Sequence, residues 1–207
     1  MTGTILTVGH SNHFLEHFLV LLKQHGIDTL CDVRSNPYSR MNPQFNREAL
    51  ERVLGKNGIA YVFLGQELGA RSGDPSCYLH GKVQYSRLAQ TALFRKGIDD
   101  LRERMRAHRV AVMCAEKDPL ECHRTVLISR YLCSIGITVE HILPDGSLEN
   151  HGQTVTRLLH QLDLQECDLF RSREDVIEDA YRIQGERIAY TVSIPSGEAE
   201  QIRRNTR

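Results

Sequence analysis

Neither sign of charge prevails in this chain: 26 lysines and arginines stand against 26 aspartates and glutamates in 207 residues, a formal net charge of zero. Such a chain sets up no global field drawing it toward nucleic acid or an anionic lipid surface, so any basic patch has to be local. No apolar run approaches the roughly 20 residues that cross a bilayer. The first residues lead directly into Thr4-Ile5-Leu6-Thr7-Val8 without a signal-peptide pattern. No membrane partner is expected, and a cytoplasmic location is.

Paired cysteine spacings are missing as well. The cysteines at 31, 77, 114, 122, 133 and 167 follow neither a zinc-ribbon nor a thioredoxin pattern. With thiols the default in a reducing compartment, Cys31 in an apolar strand and Cys133 on a helix are expected to be small buried hydrophobes. Neither a Walker P-loop nor a dinucleotide glycine pattern occurs at a strand-to-helix turn. The sixth residue after Cys114 is Leu120, which excludes the Cys-x5-Arg phosphatase loop. There is no internal repeat and no low-complexity segment.

The length suits one domain with a proper core, and apolar strands alternate with amphipathic helices along it. Strands are expected at 4–8, 29–33, 59–64, 110–114 and 137–143. Asn12 is expected to cap a helix with Phe14, Leu15, Phe18, Leu19 and Leu22 on one face, ended by Gly26. Asn46 starts a second helix, with Leu50, Val53 and Leu54 inward and Gly58 at its end. Residues 83–107 form a long charged helical region. A helix over 123–135 turns Leu127, Ile128, Tyr131, Leu132 and Ile135 inward before Gly136, and a last core helix lies around 153–162. Residues 65–82 lack periodicity, and 144–152 read as a polar turn. The expected fold is α/β: a single domain over 1–162, with a mostly parallel, about five-stranded sheet flanked by helices in Rossmann-like layering. A C-terminal helical extension over 163–194 docks on it through a helix opened by Ser172 and Asp175. Residues 195–207 read as a loose charged tail.

Ligands in open parallel sheets bind beyond the carboxyl ends of the strands, and the polar motifs converge there. The first strand delivers Gly9, His10 and Ser11; the second delivers Asp32, Arg34 and, through its loop, Arg40. The strand over 110–114 delivers Cys114, Glu116 and the Cys122-His123-Arg124 triplet. Guanidinium groups grip phosphate bidentately, so Arg34, Arg40 and Arg124, with Arg71 from the aperiodic loop, suit an anionic ligand together with Ser11 and Asp32. His10, Glu116, Cys114, Cys122 and His123 are the candidates for catalysis. A helix start beside His123 and Arg124 would lower the Cys122 thiol pKa. Each residue also has a plainer reading. His10 can satisfy a backbone carbonyl, Asp32 can form an inner ion pair that positions an arginine, and Glu116 or Glu67 can pair with arginines. Cys114, Cys122, His123 and His10 are numerous enough for a metal, but neighbours on a helix diverge by about 100°. No metal ligand is assigned, and no cofactor is expected.

Three stretches in the same order, Thr7-Val8-Gly9-His10-Ser11, Asp32-Val33-Arg34-Ser35-Asn36-Pro37-Tyr38-Ser39-Arg40, and Cys114-Ala115-Glu116 followed by Cys122-His123-Arg124, resemble the domain-of-unknown-function 488 family (DUF488). The resemblance covers roughly residues 4–160, and Asp168-Leu169-Phe170, Ala180-Tyr181-Arg182 and Ile188-Ala189-Tyr190 are similar to the family's end. It implies an α/β domain with a cleft lined by these His, Arg, Glu and Cys residues, and no settled substrate. The resulting expectation is a cleft for a phosphate-bearing, nucleotide-like or nucleic-acid ligand, in an enzyme of the transferase or hydrolase kind. A non-catalytic ligand- or nucleic-acid-binding module and a cysteine-based redox or metal-site protein are the alternatives. The oligomeric state is left open, a homodimer included.

Overall fold

The apolar strand at the N-terminus becomes an inner strand of a six-stranded sheet, buried along nearly its whole length. In the computed structural model, which describes residues 3–165 and 171–192, the strands are β1 (Thr4–Gly9), β2 (Thr29–Asp32), β3 (Ala60–Phe63), the short β4 (Tyr78–Leu79) and β5 (Lys82–Val83), β6 (Val110–Cys114), β7 (Thr138–Ile142) and β8 (Leu148–Asn150). The main sheet runs β3-β2-β6-β1-β7-β8, parallel except for β8, while β4 and β5 pair separately. The fold is therefore the expected α/β layering with one strand more than about five. That strand, Leu148-Glu149-Asn150, is a three-residue edge strand inside the stretch read as a polar turn, too short to show an alternating pattern.

The helices are α1 (Leu15–Gln24), α2 (Arg47–Lys56), α3 (Gly65–Leu68), α4 (Tyr85–Leu88), α5 (Ala92–Met105), α6 (Arg130–Ser134), α7 (His151–Gln161) and α8 (Arg173–Ile188). Alternate side chains of each strand serve opposite layers. Leu6, Val8, Leu30 and Met113 pack with Phe18, Leu22, Leu50 and Leu54 of α1 and α2. Ile5, Cys31, Val112 and Val139 pack with Ile98, Leu132, Leu158 and Ala180 of α5 to α8. Gly26, Gly58 and Gly136 end their helices at φ of +65°, +74° and +82°, the left-handed region glycine enters without strain.

Several helix boundaries differ from expectation. The first helix starts at Leu15 with Phe14 as its N-terminal flank, so the Phe14 side chain is 83% exposed rather than inward. Residues 83–107 break into two helices because the Thr91 hydroxyl accepts from the Phe94 N–H at 3.1 Å and opens a new one. Residues 124–129 form a π-helical turn ahead of α6, which leaves Ile135 43% exposed. Ser172 and Asp175 form the expected capping box of α8. Cys167, Asp168-Leu169-Phe170 and the tail over 195–207 lie outside the described residues. No helix among the described residues is long and apolar enough to cross a membrane.

A buried polar chain ties β1 to α8. Thr7 Oγ1 lies 2.7 Å from His141 Nδ1, His141 Nε2 lies 3.0 Å from His151 Nδ1, and His151 Nε2 lies 2.8 Å from the Tyr181 hydroxyl. Burial pushes His151 down to about 4 and His141 well below its ordinary value. Both are neutral in the fold but take up protons in the unfolded chain below its ordinary value of about 6.5, so stability is full above that pH and falls as pH drops toward 4. Each should cost up to ~1.4 kcal/mol per pH unit across that window. Urea unfolding between about pH 7 and about pH 5 should show the loss, reduced in His151→Gln; a midpoint that does not move would refute the neutral pair.

Candidate functional site at the ends of β1 and β6

The chain leaves β1 for α1 on one face of the sheet and leaves β6 for α6 on the other, so the gap between these neighbouring strand ends is the topological switch point. Pairing continues past the strands: the His10 N–H donates to the Cys114 carbonyl at 2.9 Å, and the Ser11 N–H to that of Ala115 at 2.8 Å. This close approach needs Gly9, where a Cβ would stand 1.8 Å from the Glu116 carbonyl oxygen and 2.7 Å from Arg124 Nη1. Ser11 then takes φ +50°, unusual outside glycine and the kind of strain found around functional loops. Gly9→Ala should therefore displace the 115–117 loop and cost about 1 to 3 kcal/mol or more in denaturant unfolding, whereas an unchanged midpoint would mean that the two loops are not in contact.

Arg34 is the hub on the β2 side. Its Nε and Nη2 donate to the Asp32 carboxylate at 2.9 and 2.6 Å, Nη2 donates to the Phe45 carbonyl at 2.8 Å, and Nη1 to His10 Nε2 at 3.1 Å. The Tyr61 hydroxyl donates to Asp32 at 2.7 Å. Asp32 and Arg34 thus meet each other at the strand end, since residues two apart on a strand share one face. This is the inner ion pair that was the plainer reading of Asp32. His10 stacks on Phe45, with ring centroids 4.4 Å apart. Burial, aided by the Arg34 charge, pushes its pKa down to about 4. The neutral ring donates Nδ1–H to the Ser11 carbonyl at 2.8 Å and accepts from Arg34 at Nε2.

On the β6 side the fully buried Arg124 donates from Nη1 to the Glu116 carbonyl at 2.7 Å and from Nη2 to that of Lys117 at 3.2 Å. Its guanidinium braces the loop that carries Glu116. Asp118 accepts from the Leu120 N–H at 2.9 Å and pairs with Arg157 of α7 at 2.8 Å, while Gln184 of α8 donates to the Leu120 carbonyl at 2.8 Å. The last two helices therefore hold the turn leading to Cys122. Arg40 is exposed, and so is Arg71, whose guanidinium lies 4.3 Å from the Tyr190 ring centroid. Glu67 lies beside Lys96 on α5, 4.0 Å away.

Cys114, Cys122 and His123 come together. His123 Nδ1 is 3.5 Å from Cys114 Sγ and 3.8 Å from Cys122 Sγ. Cys122 is not at a helix start but closes the 3-10 turn Pro119–Glu121 with extended backbone, φ −134° and ψ 141°. That backbone lets it converge with His123, where neighbours on a helix would diverge. Burial pushes the Cys122 thiol up, and nearby Cys114 adds to the rise, reversing the lowering expected from a helix terminus. Burial alone would lower His123, but Cys122 and Glu116 beside it outweigh that and raise it. Burial would likewise raise Glu116, yet the two thiols and His123 bring it below the usual carboxylate range.

Six buried side-chain polar atoms among the described residues have no hydrogen-bond partner, and five of them fall in one short segment: Glu116 Oε2, His123 Nε2, Arg124 Nε, Thr125 Oγ1 and Ser129 Oγ. Buried polar atoms are normally satisfied, and exceptions gather where a ligand, ion or water acts. The π-helical turn over Arg124–Ser129 supplies three of the five and is itself a feature concentrated at functional sites.

A family model described as Domain of unknown function DUF488 matches residues 14–131, more than half of the chain. The chain belongs to the DUF488 family. No curated protein and no solved structure matches it. The DUF488 match takes in the Asp32–Arg40 stretch and the Cys114–Arg124 stretch, and β1 with His10 and Ser11 lies just ahead of it. Phe45, Tyr61, Lys117, Arg157 and Gln184, all absent from the sequence-based candidates, hold the candidate residues in place. Only the fold brings them in, and none carries a spacing that would have marked it.

Proposed function

We propose that this DUF488 protein is an enzyme acting on an anionic, phosphate-bearing small molecule at the crevice between β1 and β6. Cys114, Cys122, His123 and Glu116 are its reactive groups. The observation that carries the reading is the concentration of unsatisfied buried polar atoms beside two thiols at the switch point. Arg34 and Arg124 act chiefly inside the site, holding His10 and the Glu116 loop in place, and the Nε–H of Arg124 remains for a ligand. Exposed cationic groups on the strand-end loops, Lys117 and Arg40, draw the anion toward the strand ends.

Inorganic phosphate or a mononucleotide should raise the melting temperature, since a ligand bound only to the native state adds about 2.7 kcal/mol at one hundred times its dissociation constant. Lys117→Ala with Arg40→Ala should reduce the rise without lowering the melting temperature of the free protein. Phosphates and nucleotides that leave the wild-type melting temperature unmoved would remove the anion reading. Catalysis is tested separately, by incubating a panel of phosphate monoesters and nucleotides with the protein and following products by mass. Stabilisation with no product from any bound compound would favour a binding module.

A further inference from the structure

Cys114 Sγ, Cys122 Sγ and His123 Nδ1 all lie within 4.8 Å of one another, and all three residues are buried. An ion held about 2.3 Å from each sulfur and about 2.0 to 2.1 Å from the nitrogen in a tetrahedron puts its ligand atoms about 3.6 to 3.8 Å apart. The observed nitrogen-to-sulfur separations, 3.5 and 3.8 Å, are already of that size. We propose that Cys114, Cys122 and His123 form a three-ligand site for a zinc-class divalent ion, with the fourth position open to the crevice and Glu116 beside it.

The donor set argues for this class of ion. Two thiolates and an imidazole select zinc-like metals over calcium or magnesium, and three protein ligands with one open position are the arrangement of catalytic rather than structural zinc. One unsatisfied atom fits the assignment independently of the spacing: the unpaired Glu116 Oε2 is the acceptor for a water or hydroxide in the open position, while His123, with Nδ1 on the ion, carries its proton on Nε2. The ligands are also fixed before any ion arrives. Cys114 ends a buried central strand, and the turn presenting Cys122 is tied down by Asp118 to Arg157 and by Leu120 to Gln184. An oxyanion entering the crevice reaches the ion at the open position, which specifies how the anionic ligand would be held.

This inference rests on the reading of the cluster as the reactive part of the site, but it is tested apart from it. Reduced, chelator-treated protein titrated with cobalt(II) should bind one equivalent and develop thiolate-to-cobalt charge-transfer absorption. Cys114→Ser and Cys122→Ser should each weaken binding by at least about tenfold and diminish the band, while Cys133→Ser should leave it intact, with circular dichroism reporting the fold of each. X-ray absorption at the cobalt edge of the wild type should show two sulfur neighbours, so the inference stands or falls even where a serine variant does not fold. A folded, reduced wild type without the band, or a metal shell of oxygen and nitrogen only, overturns it. Phosphate stabilisation without the cobalt band would remove the ion and keep the anion site; the band without any phosphate effect would do the reverse.

Discussion

Replacing Asp32 with Ala should cost about 3 to 5 kcal/mol of stability, the scale of breaking a buried ion pair by removing one partner. Asp32 is wholly buried and Arg34 is 5% exposed, so the variant leaves a guanidinium inside the protein with the Phe45 carbonyl and His10 as its remaining partners. The cost comes less from the lost attraction than from the uncompensated charge. Asp32→Asn, which keeps the shape and one acceptor, should lose less. Equilibrium denaturation of both variants gives the values, and a loss below about 1 kcal/mol for Asp32→Ala would mean that the pair is solvated and does not organise the site.

Phe45→Ala should be comparably severe, at about 3 to 5 kcal/mol, because a fully buried aromatic leaves a cavity as well as losing its transfer energy. Phe45 packs edge-on against Phe18, ring centroids 5.2 Å apart, and face-on against His10. Its removal should also let water reach the imidazole. Burial is the main reason that His10 sits near a pKa of about 4, so the variant's His10 should titrate at higher pH. A proton NMR titration of the His10 ring follows this independently of stability. A ring whose pKa stays at its wild-type value in Phe45→Ala would place the cause of the depression elsewhere.

Local signals in the sequence were enough for the layering and for bringing the polar motifs to the strand ends. Apolar strands, helices closed by Gly26, Gly58 and Gly136, and polar motifs at strand ends each follow from a few neighbouring residues, and the parallel sheet follows from their alternation. What the site residues do to one another was less legible. Arg34 and Arg124 read as ligand clamps because an arginine near a helix start suits an anion. Whether carbonyls of a neighbouring loop already occupy the guanidinium depends on tertiary packing that no spacing encodes. The convergence of Cys122 and His123 was hidden for a related reason. A helical pattern assigned across 123–135 sets neighbours about 100° apart, and the extended backbone of Cys122 ahead of a π-helical turn undoes that rule. The edge strand Leu148–Asn150 was too short and too polar to announce itself.

The claim that an anion is handled between β1 and β6 is tested most directly by following backbone amide resonances during a titration with phosphate or a mononucleotide. Saturable shifts should cluster at Ser11, at Ala115 to Lys117 and at Cys122 to Thr125, on both sides of the switch point. A surface depression of about 570 Å³ along α7 is lined by Asn150, Gln153, Thr156 and His160 among others and shares no residue with the motifs. Shifts confined to that groove, or no saturable shift anywhere, would contradict the assignment of the site.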